Sequence, residues 1–301
     1  MKSVSIVLKG IFMGICDLVP GVSGGTIALI FGIYDEFIFS LSRLSISSLS
    51  LIKNKGFKAF WIEINGVFLS KLLSGIIIGV SLFTFLIDWL IRDHPILLWA
   101  FFNGILLSST IIIFKKIKKP TINLMLFFFF GLIVSYFVVQ LNPNSELNSS
   151  NEFYLFISCL VASSAMILPG ISGAYMLILF GTYSEVISTI KGMLNIIILQ
   201  DFTNPDVIIY KLLIIGLGII SGILIFSKFL KFLLTKYYDK TLVFMVGLML
   251  GSITKIWPWK EGLKNVLPSK FSGESHLQTS LIFFILGILF IFIIQFLEKQ
   301  K

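Results

Sequence analysis

A chain of 301 residues that is 56% hydrophobic and 13% charged cannot hide its apolar side chains in one water-soluble core, which excludes an ordinary globular protein. Its net charge of +9 lies largely in clusters between apolar runs, so it reports membrane topology and gives no indication of a nucleic-acid partner. Several runs approach the roughly 20 residues that cross a bilayer as a helix, and strand-like alternation is missing, so the predicted class is an all-α polytopic membrane protein.

In chain order, Lys2 and Lys9 precede an apolar run that imitates a secretory signal, but Gly10, Gly14 and Asp17 interrupt it and no small-x-small cleavage site follows. The segment reads as mature protein and extends over 3–40, broken near its middle by LVPGVSGGTIALIFGIY at 18–34. Full spans are predicted at 66–87, 95–114 and 121–140. A second broken segment, 153–190, carries ILPGISGAYMLILFGTY at 167–183, and spans follow at 207–227, 241–257 and 280–297.

Lys and Arg collect on the cytoplasmic side of bacterial membrane proteins. Arg43 to Lys58, Lys115 to Lys119 and Lys228 to Lys240 are the basic clusters and are predicted inside; the connections at 88–93, 141–152 and around Asp201 and Asp206 are neutral to acidic and predicted outside. The loop from Trp259 to Leu277 is mildly basic and fits less well. With both termini cytoplasmic, parity makes 3–40 enter and leave on the inner face and 153–190 on the outer face. Each half, 1–140 and 153–301, is then a broken, re-entrant hairpin followed by three spans, and an odd number of spans inserts the second half upside down. FFNGILLSS at 101–109 resembles FMVGLMLGS at 244–252, as an inverted-topology repeat requires. Trp61, Trp89, Trp99, Trp257 and Trp259 fall near span ends, where an aromatic belt would sit.

Pro20 and Pro169 stop the helix before them. The next helix can restart at Ser23 or Ser172, both good N-cap residues, with glycines that leave backbone N–H groups open to a close ligand. Backbone broken at membrane depth is tolerated only against protein or a wet cavity. A half-helix start carries roughly +0.5 of effective charge, and two of them opposed at the midplane would hold an anion. A plain kink with tight glycine packing explains one such break; two matching breaks favour function. Lys71 and Lys211 each lie near the start of the first span after a hairpin and are candidate phosphate partners, with snorkelling to the interface as the competing account. Asp17 is an intramembrane carboxylate that could carry a coupling proton or hold the hairpin shut. Glu36 and Glu185 recur two residues after Tyr34 and Tyr183, as gating groups or solvated ends. Cys16 and Cys159 read as buried free thiols, and His94 and His276 stand beside loops, so neither a metal nor another cofactor is expected. No nucleophile or P-loop is visible, and the chain is not expected to be an enzyme.

GICDLVPGVSGGTIALIFGIYDE and ASSAMILPGISGAYMLILFGTYSE resemble the bacterial polyprenyl-phosphate translocase family, and the resemblance covers essentially the whole chain. It implies a flippase of the plasma membrane that returns undecaprenyl phosphate, the lipid carrier of cell-wall precursors, to the cytoplasmic leaflet by alternating access. The implied phosphate cradle is Pro20, Gly21, Ser23, Gly24, Gly25 and Thr26 with Pro169, Gly170, Ser172 and Gly173. Ala174 departs from the family pattern, which more usually has serine there. A lipid phosphate needs a buried anion site open sideways to lipid, and the Phe-rich character of the chain, with FFFF at 127–130, suits tail-facing grooves or plain lipid-facing filler. The alternative is a secondary transporter of a small soluble anion, which a closed aqueous vestibule would favour. A lipid phosphatase would need a His or paired carboxylates beside the phosphate. A coupling proton or sodium ion and a homo-oligomer are both compatible with the sequence.

Overall fold

Apolar segments in a bilayer must satisfy their own backbone groups, and here they do so as helices. The computed structural model describes residues 2–19, 22–117, 121–141, 151–196, 200, 204–262 and 264–299. The first half contains α1 (Lys2–Asp17), α2 (Gly24–Ile30), α3 (Tyr34–Ser42), α4 (Ile46–Lys55), α5 (Phe57–Glu63), α6 (Gly66–Asp93), α7 (Pro95–Phe114) and α8 (Ile122–Gln140). The second contains α9 (Glu152–Ile167), α10 (Gly173–Leu179), α11 (Tyr183–Leu194), α12 (Pro205–Lys236), α13 (Tyr238–Ser252) and α14 (Leu277–Lys299). Between α13 and α14, β1 (Lys260–Glu261) pairs antiparallel with β2 (Lys264–Asn265).

α6, α7, α8, α12 and α14 are long and apolar enough to cross a membrane, so the chain is an all-α, multi-pass membrane protein. The predicted span 241–257 is shorter than expected. α13 has 15 residues and continues as a 3₁₀ turn, Ile253–Ile256. At 1.5 Å per residue α13 reaches about 22 Å, short of a hydrocarbon layer of about 30 Å. It is nevertheless deeply buried, with Leu242, Met245, Leu248 and Met249 fully enclosed, and it packs on α8 and α7.

Each hairpin turns back across its Pro-Gly break, as expected, so that Lys9 of α1 reaches the Phe31 carbonyl just past α2 and Tyr154 of α9 the Phe180 carbonyl just past α10. α1 ends before the Pro-Gly break and α2 restarts beyond it, and second sharp bends not expected from the sequence, 120° in one half and 114° in the other, lie between α2 and α3 and between α10 and α11. They fall on the repeated Phe-Gly-x-Tyr, where Gly32 and Gly181 have φ of 65° and 68°. The N–H of Ile33 donates to the Ala28 carbonyl and that of Thr182 to the Leu177 carbonyl, both at 3.0 Å, which closes each half-helix in a Schellman motif. The basic connection after α3 is more ordered than its composition suggests: Ser45 and Ser48 form a capping box at the start of α4.

Glycines let the long helices touch backbone to backbone. A Cβ at Gly75 or Gly79 of α6 would collide with the Val7 or Ile11 carbonyl of α1, and at Gly218 or Gly222 of α12 with the Phe156 or Leu160 carbonyl of α9. Gly104 of α7 abuts the Phe284 carbonyl of α14, and Gly287 of α14 abuts the Phe101 carbonyl of α7. Matching positions repeat this with partners exchanged: Gly247 of α13 abuts Phe128 of α8, and Gly131 of α8 abuts Phe244 of α13. Gly104→Ala is therefore expected to lower stability by about 1–3 kcal/mol, because neither backbone can yield cheaply. Thermal unfolding of the purified protein in detergent checks this, and an unchanged midpoint would contradict the packing.

The half-helices sit differently in this frame. α2 is buried along its whole length, whereas Ala174 of α10 is exposed. Trp259, expected in an interfacial belt, is 7% exposed, and its indole N–H donates to the Ser275 carbonyl at 2.8 Å, pinning the α13–α14 connection.

Candidate anion site at the crossed breaks

The two breaks come together. Pro20 and Gly21 lie outside the described residues; the rest of the first motif meets the end of α9 directly. Ser23 Oγ donates to the Met166 carbonyl at 3.0 Å, Tyr34 donates through its hydroxyl to the Ile167 carbonyl at 3.1 Å, and the Gly170 N–H donates to Thr26 Oγ1 at 3.2 Å. The first two bonds consume carbonyls that Pro169 leaves without helical partners, and the third satisfies the Gly170 N–H. A Cβ on Gly25 would stand 2.6 Å from the Ile167 carbonyl oxygen, so the absence of a side chain is what allows the approach.

At the first half-helix the donors are already taken. Ser23 caps α2 by accepting the Gly25 N–H at 3.1 Å, and the Gly24 N–H donates to Asp17 Oδ1 at 2.7 Å. Asp17 thus places a carboxylate at the start of α2, where an anion is favoured. The carbonyl end of α2 is met by ammonium groups, Lys9 on Phe31 at 2.8 Å and Lys116 on Leu29 at 3.3 Å.

The second break differs. Gly170 has φ of 85°, and Ser172, although buried, makes no capping bond to α10. Beside it a small cavity of about 10 Å³, room for one water-sized group, is lined by Ser135, Gly170, Ser172, Tyr175, Ser252 and Lys255. The Lys255 ammonium lies 4.0 Å from the centre of the Tyr175 ring. Ser135 is fully buried and its hydroxyl has no hydrogen-bond partner among the described residues. Such an orphan costs about 1–3 kcal/mol. Just outside, the Lys260 ammonium donates to the Lys255 carbonyl and lies 5.4 Å from the Trp99 ring. Burial, and secondarily the charge of Lys255, pull its pKa down to about 8.

Sequence reasoning missed Lys255 because it fell inside a predicted span and next to a loop read only for topology. The lysines it singled out stand elsewhere. Lys211 pairs with Glu185 at 2.7 Å, and Glu36 accepts a hydrogen bond from Asn65 at 2.9 Å. Lys71 and Lys211 are not equivalent either: Lys71 lies four residues before Gly75 and Lys211 seven before Gly218, the glycines that set the register. Because Lys211 is part-exposed, a double-mutant cycle with Glu185→Gln and Lys211→Met is expected to give a coupling of at most about 1 kcal/mol by thermal unfolding. A coupling several-fold larger would mark the pair as more than a rim contact. Cys16 and Cys159 are free and buried.

On the flank of the bundle, a groove of about 300 Å³ runs between α7, α14 and the turn after α13, lined by Ala100, Leu107, Trp257, Leu281 and Phe284. Leu281 on its rim is exposed, so the groove opens on the apolar outer face. Asn103 lies at the same groove, its side-chain amide donating to the Ile256 carbonyl at 2.6 Å.

A family model described as undecaprenyl phosphate translocase-like matches residues 13–275. The chain is 40% identical over 264 residues to a polyprenyl-phosphate transporter of Vibrio cholerae serotype O1, covering 87% of this chain and 80% of that one. It is 30% identical over 294 residues to a polyprenyl-phosphate transporter of Staphylococcus aureus, covering 94% and 93%. No solved structure matches it significantly.

Proposed function

The chain belongs to the undecaprenyl phosphate translocase-like family, and from that premise we propose that it carries undecaprenyl phosphate from the outer to the cytoplasmic leaflet of the bacterial plasma membrane. The observation that carries this reading is the direct meeting of two broken segments inside a body whose outer faces are apolar. Broken backbone at membrane depth, buried against protein, is where transporters of charged solutes place their sites. The phosphate is taken at the crossed breaks, among Ser23, Gly24, Gly25 and Thr26 and among Pro169, Gly170, Ser172 and Gly173, while the prenyl tail stays in lipid or in the flank groove.

In this reading residues 1–140 and 153–301 are inverted repeats, both termini are cytoplasmic, and transport is by alternating access. The unlike packing of α2 and α10 supports it, since a repeat caught in one state closes one half and loosens the other. Asp17 neutralises the closed half-helix in the absence of substrate, and Glu36 and Glu185 act at the rims. A proton or sodium ion would supply any coupling. The cycle breaks no bond and needs no catalytic group.

The rival reading, a transporter of a small soluble anion, would use the same breaks; the apolar groove on the flank favours the lipid. Binding to the purified protein separates them. Undecaprenyl phosphate is expected to bind saturably and to resist a thousand-fold excess of a short-chain phosphate ester. Displacement by the ester at equal concentration would overturn the lipid reading.

A further inference from the structure

We propose that the cavity lined by Ser135, Ser172, Tyr175, Ser252 and Lys255 is the subsite for the terminal phosphate, with the Lys255 ammonium as its counter-charge. This rests on the reading that a phosphate-bearing substrate is moved, and it names a cation and hydroxyls that lie outside the duplicated motif.

Three observations carry it. Lys255 points its charge at an aromatic face, with no carboxylate partner among the described residues, so the ammonium is held in place and is free to be exchanged to an anion. Ser135 contributes a fully buried hydroxyl with nothing to bond, and it lines the same cavity as Lys255. An unpaired buried donor beside an ammonium is what a phosphate oxygen satisfies. Ser252 donates to the Met249 carbonyl at 2.7 Å and keeps its oxygen as a further polar wall.

The scaffold itself does not require this polarity, as the other half shows. Counting from Gly104 and Gly247, which make matching helix contacts, Ser252 corresponds to Ser109 and Lys255 to Ile112. Counting from Gly131 and Gly287, Ser135 corresponds to Ile291; counting from Pro20 and Pro169, Tyr175 corresponds to Thr26. Ile112 and Ile291 belong to the buried apolar core. The same framework position is therefore closed with two isoleucines on one side and furnished with an ammonium and an orphan hydroxyl on the other. In this conformation the cavity holds one water-sized group, so a phosphate enters as Lys255 leaves the Tyr175 ring.

A lipid headgroup and free phosphate share this chemistry, and the test distinguishes them. Full-length protein in nanodiscs is titrated with undecaprenyl phosphate, undecaprenol and inorganic phosphate, for wild type, Lys255→Gln, Lys255→Arg and Ser135→Ala. Lys255→Gln is expected to weaken undecaprenyl phosphate binding at least ten-fold with undecaprenol binding unchanged, Lys255→Arg to restore most of it, and Ser135→Ala to weaken it several-fold without lowering the unfolding temperature. Wild-type affinity in both Lys255→Gln and Ser135→Ala would overturn the subsite and leave the transport reading intact. Failure of the wild type to prefer undecaprenyl phosphate over undecaprenol would overturn the transport reading itself. Inorganic phosphate competing at equal concentration would reassign the cavity to a soluble ion and overturn the headgroup.

Discussion

Replacing Gly170 with alanine is expected to destabilise the protein by about 2–4 kcal/mol and to abolish transport, the combined cost of a left-handed backbone and a backbone overlap. At φ of 85° any side chain is strained, and a Cβ there would stand 2.8 Å from both Met249 N and Met249 Cα and 2.9 Å from Leu248 C. These are main-chain atoms of α13, itself packed against α8 and α7, so no side-chain rotation relieves the contact. Gly32→Ala is the control. Its φ is 65°, but nothing lies within 4 Å of the added Cβ, so it should cost only the backbone part, about 1–2 kcal/mol. Thermal unfolding of both variants measures the difference. Equal losses would mean that the second break does not press on α13.

Asp17→Ala is expected to cost about 1–3 kcal/mol, because it leaves the buried Gly24 N–H at the start of α2 without its acceptor. Asp17→Asn keeps an acceptor oxygen at the same place and should stay within about 1 kcal/mol of wild type. The pair separates the two roles that the sequence leaves open for this carboxylate. With the hydrogen bond as its main task, the Asn variant retains transport and the Ala variant loses both stability and transport. A folded Asn variant that no longer transports would show that the ionisable carboxyl itself is required.

The membrane class, the two broken segments and five of the six spans could be read from the sequence, because apolar length and the Pro-Gly break are local signals. The second bend at Gly32 and Gly181 was equally present in the repeated Phe-Gly-x-Tyr, but a lone glycine in an apolar run signals packing as readily as a turn. α13 looked like a full span because Ile253 and Ile256 continue its apolar pattern past the point where the helix tightens. The pairings of α7 with α14 and α8 with α13 depend on which glycines face each other across the bundle, information that no single segment contains. Lys71 and Lys211 looked alike because each precedes two leucines, yet their distances to the packing glycines differ, and only the register set by those glycines shows it. Lys255 was legible in principle as a lone ammonium inside a predicted apolar span, open to the same two accounts, anion partner or snorkelling, as Lys71 and Lys211. What hid it was the assumption that its neighbourhood reported only orientation.

The most direct measurement is leaflet-to-leaflet transfer of undecaprenyl phosphate in liposomes containing the purified protein, with Ser23→Ala and Ser172→Ala alongside. The account predicts protein-dependent appearance of the lipid phosphate in the opposite leaflet, no such movement of undecaprenol, and loss of transfer in both serine variants. Transfer at the protein-free rate, or transfer indifferent to both serines, would contradict it.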